Sequence, residues 1–413
     1  MTWAEIAIGD LGRIVTGDTP PRKNPEYYGS AYPFIKPTDM TVGQRLTMTY
    51  EEGYSEDGFA KYRKKLIPAG STAVVTIGSI GQKLTWLHAD SFVNQAVNAV
   101  VPDRAKFDSL YVYYLLKHNL NLVKQADTGA SSGRENVSKS NFSALTVWAC
   151  LDLNTQKQIA EVLDALDSSI ETNQRRIALL EDAARRLYRE WFVHLRFPGH
   201  ESAPVKNGVP EGWRKTPIVE QTSFLNRGIA PKYDDAAKGR VINQKCIRDG
   251  RISMEPARKQ SKDVKLDRLV RMGDVLINST GAGTLGRVAQ VWSPIENCTV
   301  DTHVTIARPI DESSSTYFGR ALLNLEPVFS EMGKGATNQL ELSRSDIGAV
   351  EIWQPPQHLY VEFHRLVGPM LEQAEQLSIA NLSLQKARDQ LLPKLMSGQL
   401  DVSGIRLPEE ATA

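Results

Sequence analysis

Residues 159–191 read IAEVLDALDSSIETNQRRIALLEDAARRLYREW, and their apolar side chains recur in steps of four and three residues. Such steps are the heptad pattern of a coiled coil, in which one apolar stripe faces a partner helix. Residues 357–400 repeat the pattern. A plain core helix also carries an apolar stripe, but the shared seven-residue step favours two paired helices. The predicted seam comprises Ile159, Leu163, Leu166, Ile170, Asn173, Ile177, Leu180 and Leu187 in the first helix, and Phe363, Val367, Met370, Leu377, Asn381, Leu384 and Leu391 in the second.

The polar seam positions predict a register. If the helices run antiparallel and facing position numbers add to 554, every a position meets a d position. Asn173 then meets Asn381, so that each buried amide can satisfy the other. The same register sets Leu166 against Arg388, whose guanidinium would have to extend to solvent.

The chain contains the same unit twice. Residues 137–142 (VSKSNF) align with residues 342–347 (LSRSDI) at an offset of 205 positions. Residues 78–81 (GSIG) align with residues 283–286 (GTLG) at the same offset. Several matches in the same order indicate a tandem duplication.

Each copy begins with about 150 residues of short apolar runs between Gly- and Pro-containing turns, as in strands, and ends in the heptad helix. We predict an α+β fold: two tandem-duplicated α/β domains separated by an antiparallel coiled coil of two long helices. The predicted boundaries are 1–152 for the first domain, 153–196 for the first helix, 197–356 for a linker and the second domain, 357–400 for the second helix, and 401–413 for a C-terminal tail.

The charge balance excludes one class of protein. The 413 residues include 49 Lys and Arg and 48 Asp and Glu, a net charge of +1, so a generally basic nucleic-acid binder is ruled out. The charges are nevertheless unevenly divided. Residues 1–150 carry 16 basic and 14 acidic residues, and residues 204–356 carry 21 and 18. Both globular halves are therefore slightly basic, and both helical segments are slightly acidic.

The sequence predicts a cytoplasmic protein without a membrane segment. The start of the chain lacks a basic stretch followed by an apolar run, and no stretch of about 18 apolar residues occurs. Cys150, Cys246 and Cys298 are far apart and odd in number, which argues against a disulfide framework and against a zinc site.

The sequence contains no complete catalytic motif among those considered. Residues 281–286 (GAGTLG) fit the dinucleotide fingerprint G-x-G-x-x-G, which requires a following helix. Residues 287–292 (RVAQVW) alternate like a strand instead, so we interpret the glycines as a turn between strands. Residues 24–27 (NPEY) lack the second proline of the N-P-P-Y motif of amino-methyltransferases, and no Walker A or H-E-x-x-H motif occurs. We expect no catalytic residue and no metal site.

The end of the second helix carries the most specific motif. Residues 387–400 (ARDQLLPKLMSGQL) closely resemble the C-terminal signature L-L-P-K-L-M-S-G-E-L of specificity subunits of type I restriction–modification systems, with Gln399 in place of Glu. Gln158-Ile159 and Leu180-Glu181 in the first helix are similar to that family, as are residues 197–199 (FPG) and 210–213 (PEGW). The resemblance spans essentially the whole chain and is weakest in the globular halves.

The resemblance implies a non-catalytic DNA-recognition subunit. Each domain would read one half of a bipartite, asymmetric site, and the coiled coil would set the spacer between the halves. Implied partners are double-stranded DNA, two modification (methyltransferase) subunits and two restriction (translocase and endonuclease) subunits. S-adenosylmethionine, ATP and Mg would bind to those partner subunits, and this chain would bind no cofactor. Two alternatives stay open: a related system with a fused nuclease–methyltransferase partner, and a coiled-coil scaffold that does not bind DNA.

Base readout requires polar side chains that reach base edges. Polar loops at equivalent places in both halves are the best candidates. The predicted DNA-binding residues are Lys36, Thr38, Ser79, Gln82, Arg134, Asn136 and Lys139 in the first half, and Asn243, Lys245, Thr280, Thr284, Arg287, Asn338 and Arg344 in the second.

Overall fold

The computed structural model describes residues 2–127, 135–333 and 341–402. The chain divides into two compact units. The first comprises Met1–Thr172 and Asn381–Ala413, and the second comprises Asn173–Ala380. No helix within the described ranges is long and apolar enough to cross a membrane.

The first unit combines an antiparallel sheet, a smaller mixed sheet and short helices. Its strands are β1 (Trp3–Ala7), β2 (Gly12–Thr16), β3 (Tyr28–Gly29), β4 (Tyr32–Ile35), β5 (Glu52–Tyr54), β6 (Thr72–Val75), β7 (Leu84–Trp86), β8 (Phe92–Val93), β9 (Val97–Pro102) and β10 (Thr146–Cys150). Its helices are α1 (Glu56–Tyr62), α2 (Ser109–His118), α3 (Leu120–Gln125) and α4 (Lys139–Ala144), followed by the start of α5 (Leu153–Tyr188). One four-stranded sheet has the order β2-β9-β6-β7, and a second has the order β3-β5-β4-β8 with β4 and β8 parallel. β1 pairs with β10.

The central strand β6 is buried on both faces, which explains its apolar sequence. Val74 packs in the same cluster as the tyrosines of α2, whereas Ala73 and Val75 pack with Ile35 of the smaller sheet. Alternate residues of a strand point to opposite faces, so β6 joins α2 to the smaller sheet.

The second unit repeats this arrangement. Its strands are β11 (Val205–Lys206), β12 (Val209–Pro210), β13 (Arg214–Pro217), β14 (Thr222–Arg227), β15 (Gly239–Ile242), β16 (Ile247–Arg248), β17 (Arg251–Ile252), β18 (Arg258–Gln260), β19 (Val275–Asn278), β20 (Val288–Gln290), β21 (Cys298–Val300), β22 (Val304–Pro309) and β23 (Glu351–Gln354). Its helices are α6 (Ser315–Asn324), α7 (Glu326–Glu331) and α8 (Arg344–Ala349), followed by α9 (Gln357–Met396), which ends in the first unit.

Strand order confirms the duplication. The sheet β14-β22-β19-β20 matches β2-β9-β6-β7, and the pair β13–β23 matches β1–β10. The parallel pair β15–β21 matches β4–β8. The helix caps agree as well. The Ser138 hydroxyl caps α4 and the Ser343 hydroxyl caps α8, and each hydroxyl accepts a hydrogen bond from the backbone N–H three residues further along the chain. The predicted α+β fold with two duplicated domains is thus confirmed.

The segment predicted to be a linker contains a hairpin. β11 and β12 pair across Asn207 and Gly208, which have φ of +53° and +77°. An Asn-Gly pair favours this two-residue turn because both residues tolerate positive φ. The flanking rings of Phe197 and Trp213 are buried with their centroids 5.2 Å apart, so this segment is packed rather than extended.

The first long helix is shorter than predicted. α5 ends at Tyr188 and continues as a π-helical turn over Arg189–Val193, after which Leu195 adopts a positive φ of +57°. The fifteen predicted seam residues of α5 and α9 are all buried or partly buried. Leu371, Leu392 and Met396 are buried as well. The heptad did not mark them because they lie beside the seam, where each unit's globular part covers them.

Contacts within each unit show that α5 and α9 run antiparallel. In the first unit, the Asn381 side-chain amide donates to the carbonyl of Ile170 at 3.3 Å, and Arg388 contacts Asp167 at 2.6 Å. In the second unit, the ring centroids of Trp191 and Phe363 lie 5.6 Å apart. Their position numbers add to 554, so this contact agrees with the predicted register. The pairing of Asn173 with Asn381 stays a prediction.

The expectation for Arg388 is wrong. Its side chain is buried and pairs with the equally buried carboxylate of Asp167, so the guanidinium does not extend to solvent. The acid next to Leu166 in sequence provides a partner inside the unit, which makes the charge tolerable there.

Candidate nucleic-acid interface

In the first unit, the loop between β6 and β7 lies against the segment that leads into α4. The N–H of Gly78 donates to the carbonyl of Glu135 at 3.1 Å, and the N–H of Val137 donates to Thr76 at 2.9 Å. These bonds hold residues 76–83 beside residues 135–139, and we call this region the first loop surface. Two stretches that are distant in sequence thus present their polar side chains together.

The second unit builds the same surface. The N–H of Leu342 donates to the carbonyl of Ser279 at 2.9 Å, and Thr280 forms a bridge with Glu341. Arg227 of β14 holds this segment from the side, since its guanidinium contacts Glu341 at 2.6 Å and donates to the carbonyl of Leu342 at 2.9 Å. We call residues 279–287 with 341–344 the second loop surface.

Matching glycines shape both loops. Gly78 and Gly81 have φ of +87° and +71°, and Gly283 and Gly286 have φ of +71° and +80°. Residues with side chains rarely adopt this conformation, so glycine is favoured at the turns. Strand β20 follows the second loop, which confirms that residues 281–286 form a turn between strands and not a dinucleotide-binding loop.

Alanine substitutions at the two glycines of the second loop should differ in how much they destabilise the protein. A Cβ at Gly286 would lie 2.4 Å from the backbone nitrogen of Ser330, whereas a Cβ at Gly283 would meet nothing within 4 Å. Gly286→Ala is therefore expected to be several-fold more destabilising than Gly283→Ala, which bears only the cost of a positive φ, about 1 kcal/mol. Thermal unfolding of both variants checks this, and equal midpoints would contradict it.

The first loop surface gathers four of the seven predicted residues of its half. Gln82, Asn136 and Lys139 are exposed, and Ser79 is partly buried. Arg134 lies outside the described residues. Lys139 is the first residue of α4, so its position is fixed by the cap at Ser138.

The second loop surface gathers Thr280, Thr284, Arg287 and Arg344. The Arg287 guanidinium donates to the carbonyl of Gly283 at 2.9 Å, and the Arg344 guanidinium donates to the Asn226 side chain at 2.7 Å. Arg344 is exposed and Arg287 is partly buried, so both are oriented yet accessible. Asn338 lies outside the described residues.

Lys36, Thr38, Asn243 and Lys245 follow β4 and β15, outside the two loop surfaces. The Lys36 ammonium contacts Glu51 at 2.7 Å and Glu52 at 3.1 Å, so carboxylates already neutralise it. The Asn243 side chain is occupied by local hydrogen bonds: its oxygen accepts from the Lys245 N–H, and its NH2 group donates to the carbonyl of Pro256. Thr38 and Lys245 are exposed.

A partly buried ionic network in the first unit was not predicted from the sequence. Arg45, in the long loop after β4, pairs with Asp164 and with Glu171 of α5, the latter at 2.8 Å. Asp167 lies between them on α5 and accepts from Tyr114 at 3.0 Å. These contacts anchor the globular part of the unit to its helix. The spacing of Asp164, Asp167 and Glu171 along one helix face was the available signal.

The cysteines offer no nucleophile. Cys150, Cys246 and Cys298 are buried and free, and burial raises the pKa of each thiol, that of Cys298 to about 12. A thiol of raised pKa is a poor nucleophile near neutral pH because little thiolate is present. Among the described residues, no group of three or more His, Cys, Asp or Glu side chains could hold a metal ion.

Comparisons with known proteins agree with this architecture. The family model described as "Type I restriction modification DNA specificity domain" matches residues 1–182. The type I restriction enzyme MjaIX specificity subunit of Methanocaldococcus jannaschii is 26% identical over 97% of this chain and 94% of that protein. The HindI specificity subunit of Haemophilus influenzae is 33% identical over 35% of this chain and 31% of that protein.

A solved structure shares the fold. The crystal structure of the type I restriction–modification S subunit from M. genitalium has a TM-score of 0.66 and 16% identity, and covers 95% of this chain and 96% of that one. Three observations agree with one another: the duplicated units, the paired helices and a relative that aligns over nearly the whole chain. Over nearly its whole length the chain is similar to a type I restriction enzyme specificity subunit, and its first 182 residues match the model of the DNA specificity domain of that family.

Proposed function

We propose that each unit reads one half of a bipartite, asymmetric DNA site through its loop surface. The observation that carries this proposal is the repetition of one loop scaffold with different side chains. Ser79, Gln82 and Lys139 of the first unit correspond to Thr284, Arg287 and Arg344 of the second at the offset of 205. Two loop surfaces with the same backbone and different polar side chains suit the recognition of two different base sequences, since base edges are distinguished by their donors and acceptors.

The helix pair has a different proposed role. The seam side chains of α5 and α9 pack within each unit, and long helices are stiff over their length. The pair would therefore set the number of base pairs between the half-sites. The helical segments 151–203 and 357–413 each carry two more acidic than basic residues (9 against 7, and 7 against 5), which favours basic surfaces on the docking partners.

The partner subunits of the assembled enzyme would supply the catalytic activity and most of the affinity for DNA. We propose that two modification subunits dock on the helices and bring S-adenosylmethionine, and that two restriction subunits add ATP and Mg. A near-neutral chain suits this division, because phosphate contacts made by partners provide sequence-independent affinity. The complex would act in the cytoplasm.

Mapping of methylated adenines tests the proposal. Host DNA is compared between cells with and without this chain, with the modification subunit present in both. Loss of one bipartite motif with the chain absent is the expected result. An unchanged set of methylated motifs would overturn the proposal and favour a scaffold that does not bind DNA.

Lys139→Ala and Arg344→Ala occupy equivalent positions and should act on opposite halves of the site. Removing one base or phosphate contact is worth about 1–3 kcal/mol, so about a 10-fold loss in methylation rate is expected on the cognate site. Rates are measured for the assembled methyltransferase on substrates with single changes in either half-site. Arg196→Ala, in an exposed pair with Glu190, is the matched control and should not change the rate. A loss spread equally over both halves would contradict the assignment.

A further inference from the structure

One exposed side chain next to the second loop surface was not among the predicted DNA contacts. His303 lies in the turn between β21 and β22, beside Thr280. Its main chain is held on both sides: its N–H donates to the Asp301 carboxylate at 2.9 Å, and its carbonyl accepts from Ser279 at 2.8 Å. Asp301 is itself buried, so the turn is anchored in the core of the unit.

The imidazole is oriented as well as exposed. Its Nδ1 lies 2.6 Å from the Thr280 hydroxyl, and either group can be the donor. Nε2 has no hydrogen-bond partner among the described residues and belongs to an exposed side chain. A side chain already fixed in one rotamer loses little entropy on binding, which makes it a better recognition element than a freely rotating one.

The corresponding place in the first unit holds Ala96. Its carbonyl accepts from the N–H groups of Thr76 and Ile77 at 2.9 and 3.3 Å, just as the His303 carbonyl accepts from Ser279. The backbone turn is thus repeated, whereas the imidazole is present only in the second unit. This is a difference between the two surfaces at a position that the scaffold fixes in both.

We propose that His303 is a specificity-determining residue of the second unit, which bonds a base edge through Nε2 with Thr280 as its positioning residue. The proposal rests on the proposed function, because it requires that the second loop surface faces DNA. With Nδ1 protonated, Nε2 accepts from an exocyclic amino group; with Nε2 protonated, it donates to a purine N7 or a carbonyl oxygen. Either state contributes one contact to one half-site and none to the other.

The test compares methylated motifs produced by His303→Ala, Thr280→Val and the unchanged chain in the assembled methyltransferase. His303→Ala is expected to relax one base pair in a single half-site, with roughly 10-fold weaker discrimination there and an unchanged spacer and opposite half. Thr280→Val keeps the shape but removes the orienting hydroxyl, and should relax the same base pair less. His358→Ala, exposed at the start of α9, is the control and should leave the motif intact.

The outcomes separate this inference from the function it rests on. If the unchanged chain directs no bipartite motif, the proposed function fails. If that motif is present and His303→Ala reproduces it with full discrimination at every position, the assignment of His303 is overturned. A uniform loss of methylation with unaltered base preference would also overturn it, because that is the effect of a structural residue.

Discussion

Replacing Arg388 by methionine is expected to lower the free energy of unfolding of the first unit by about 3 kcal/mol. The side chains of Arg388 and Asp167 are 9% and 4% exposed, so the substitution leaves a carboxylate buried without its main partner. Lys117 remains 3.5 Å from Asp167, which compensates in part. Burial lowers the pKa of that ammonium, so it is a weaker replacement than a guanidinium.

Denaturant unfolding of the full chain measures the effect, and two variants control it. Arg388→Met combined with Asp167→Leu removes both charges of the pair and should recover part of the lost stability, because the buried carboxylate is gone although Lys117 then loses its partner. Arg196→Met breaks an exposed pair with Glu190 and should barely move the midpoint. If Arg388→Met were as mild as Arg196→Met, the pair would not be buried as the structure has it.

Phe363→Ala is expected to destabilise the second unit by about 3–5 kcal/mol. Phe363 is fully buried where α9 meets the end of α5, with ring centroids 5.0 Å from Phe192 and 5.6 Å from Trp191. Truncation removes an aromatic side chain from this cluster and leaves a cavity that rigid neighbours fill poorly.

The control for this prediction lies on the same helix. Leu366 is 41% exposed, and Leu366→Ala should cost well under about 1 kcal/mol. Tryptophan fluorescence during denaturation follows both variants, with Trp191 close to the altered site. Equal midpoints for Phe363→Ala and the unchanged chain would contradict the packing of α5 on α9 in this unit.

The long helices were predictable because their signal is local. The heptad step recurs within a few residues, so the seam positions and the antiparallel direction of the helices could be predicted without knowing the fold. The contact of Trp191 with Phe363 agrees with the predicted register. Arg388 was misjudged because its partner Asp167 is on the other helix, 221 positions away, and lies just beside the seam.

The loop surfaces were predictable only in part. Equal offsets revealed matching Gly-containing loops, and the fold brings Ser79, Gln82, Asn136 and Lys139 to one surface. The sequence could not reveal that carboxylates already neutralise Lys36, nor that His303 lies next to Thr280. Both facts depend on strand pairing between segments far apart along the chain.

The sequence by itself determined the duplication, the two heptad helices, the near-neutral charge and the family resemblance at residues 387–400. Each of these is periodic or contiguous, so neighbouring residues suffice to define it. Only the tertiary structure decided which polar side chains share a surface and which charges are neutralised inside the units. Those properties depend on distances between segments that strand pairing and side-chain packing bring together, and no local pattern encodes them.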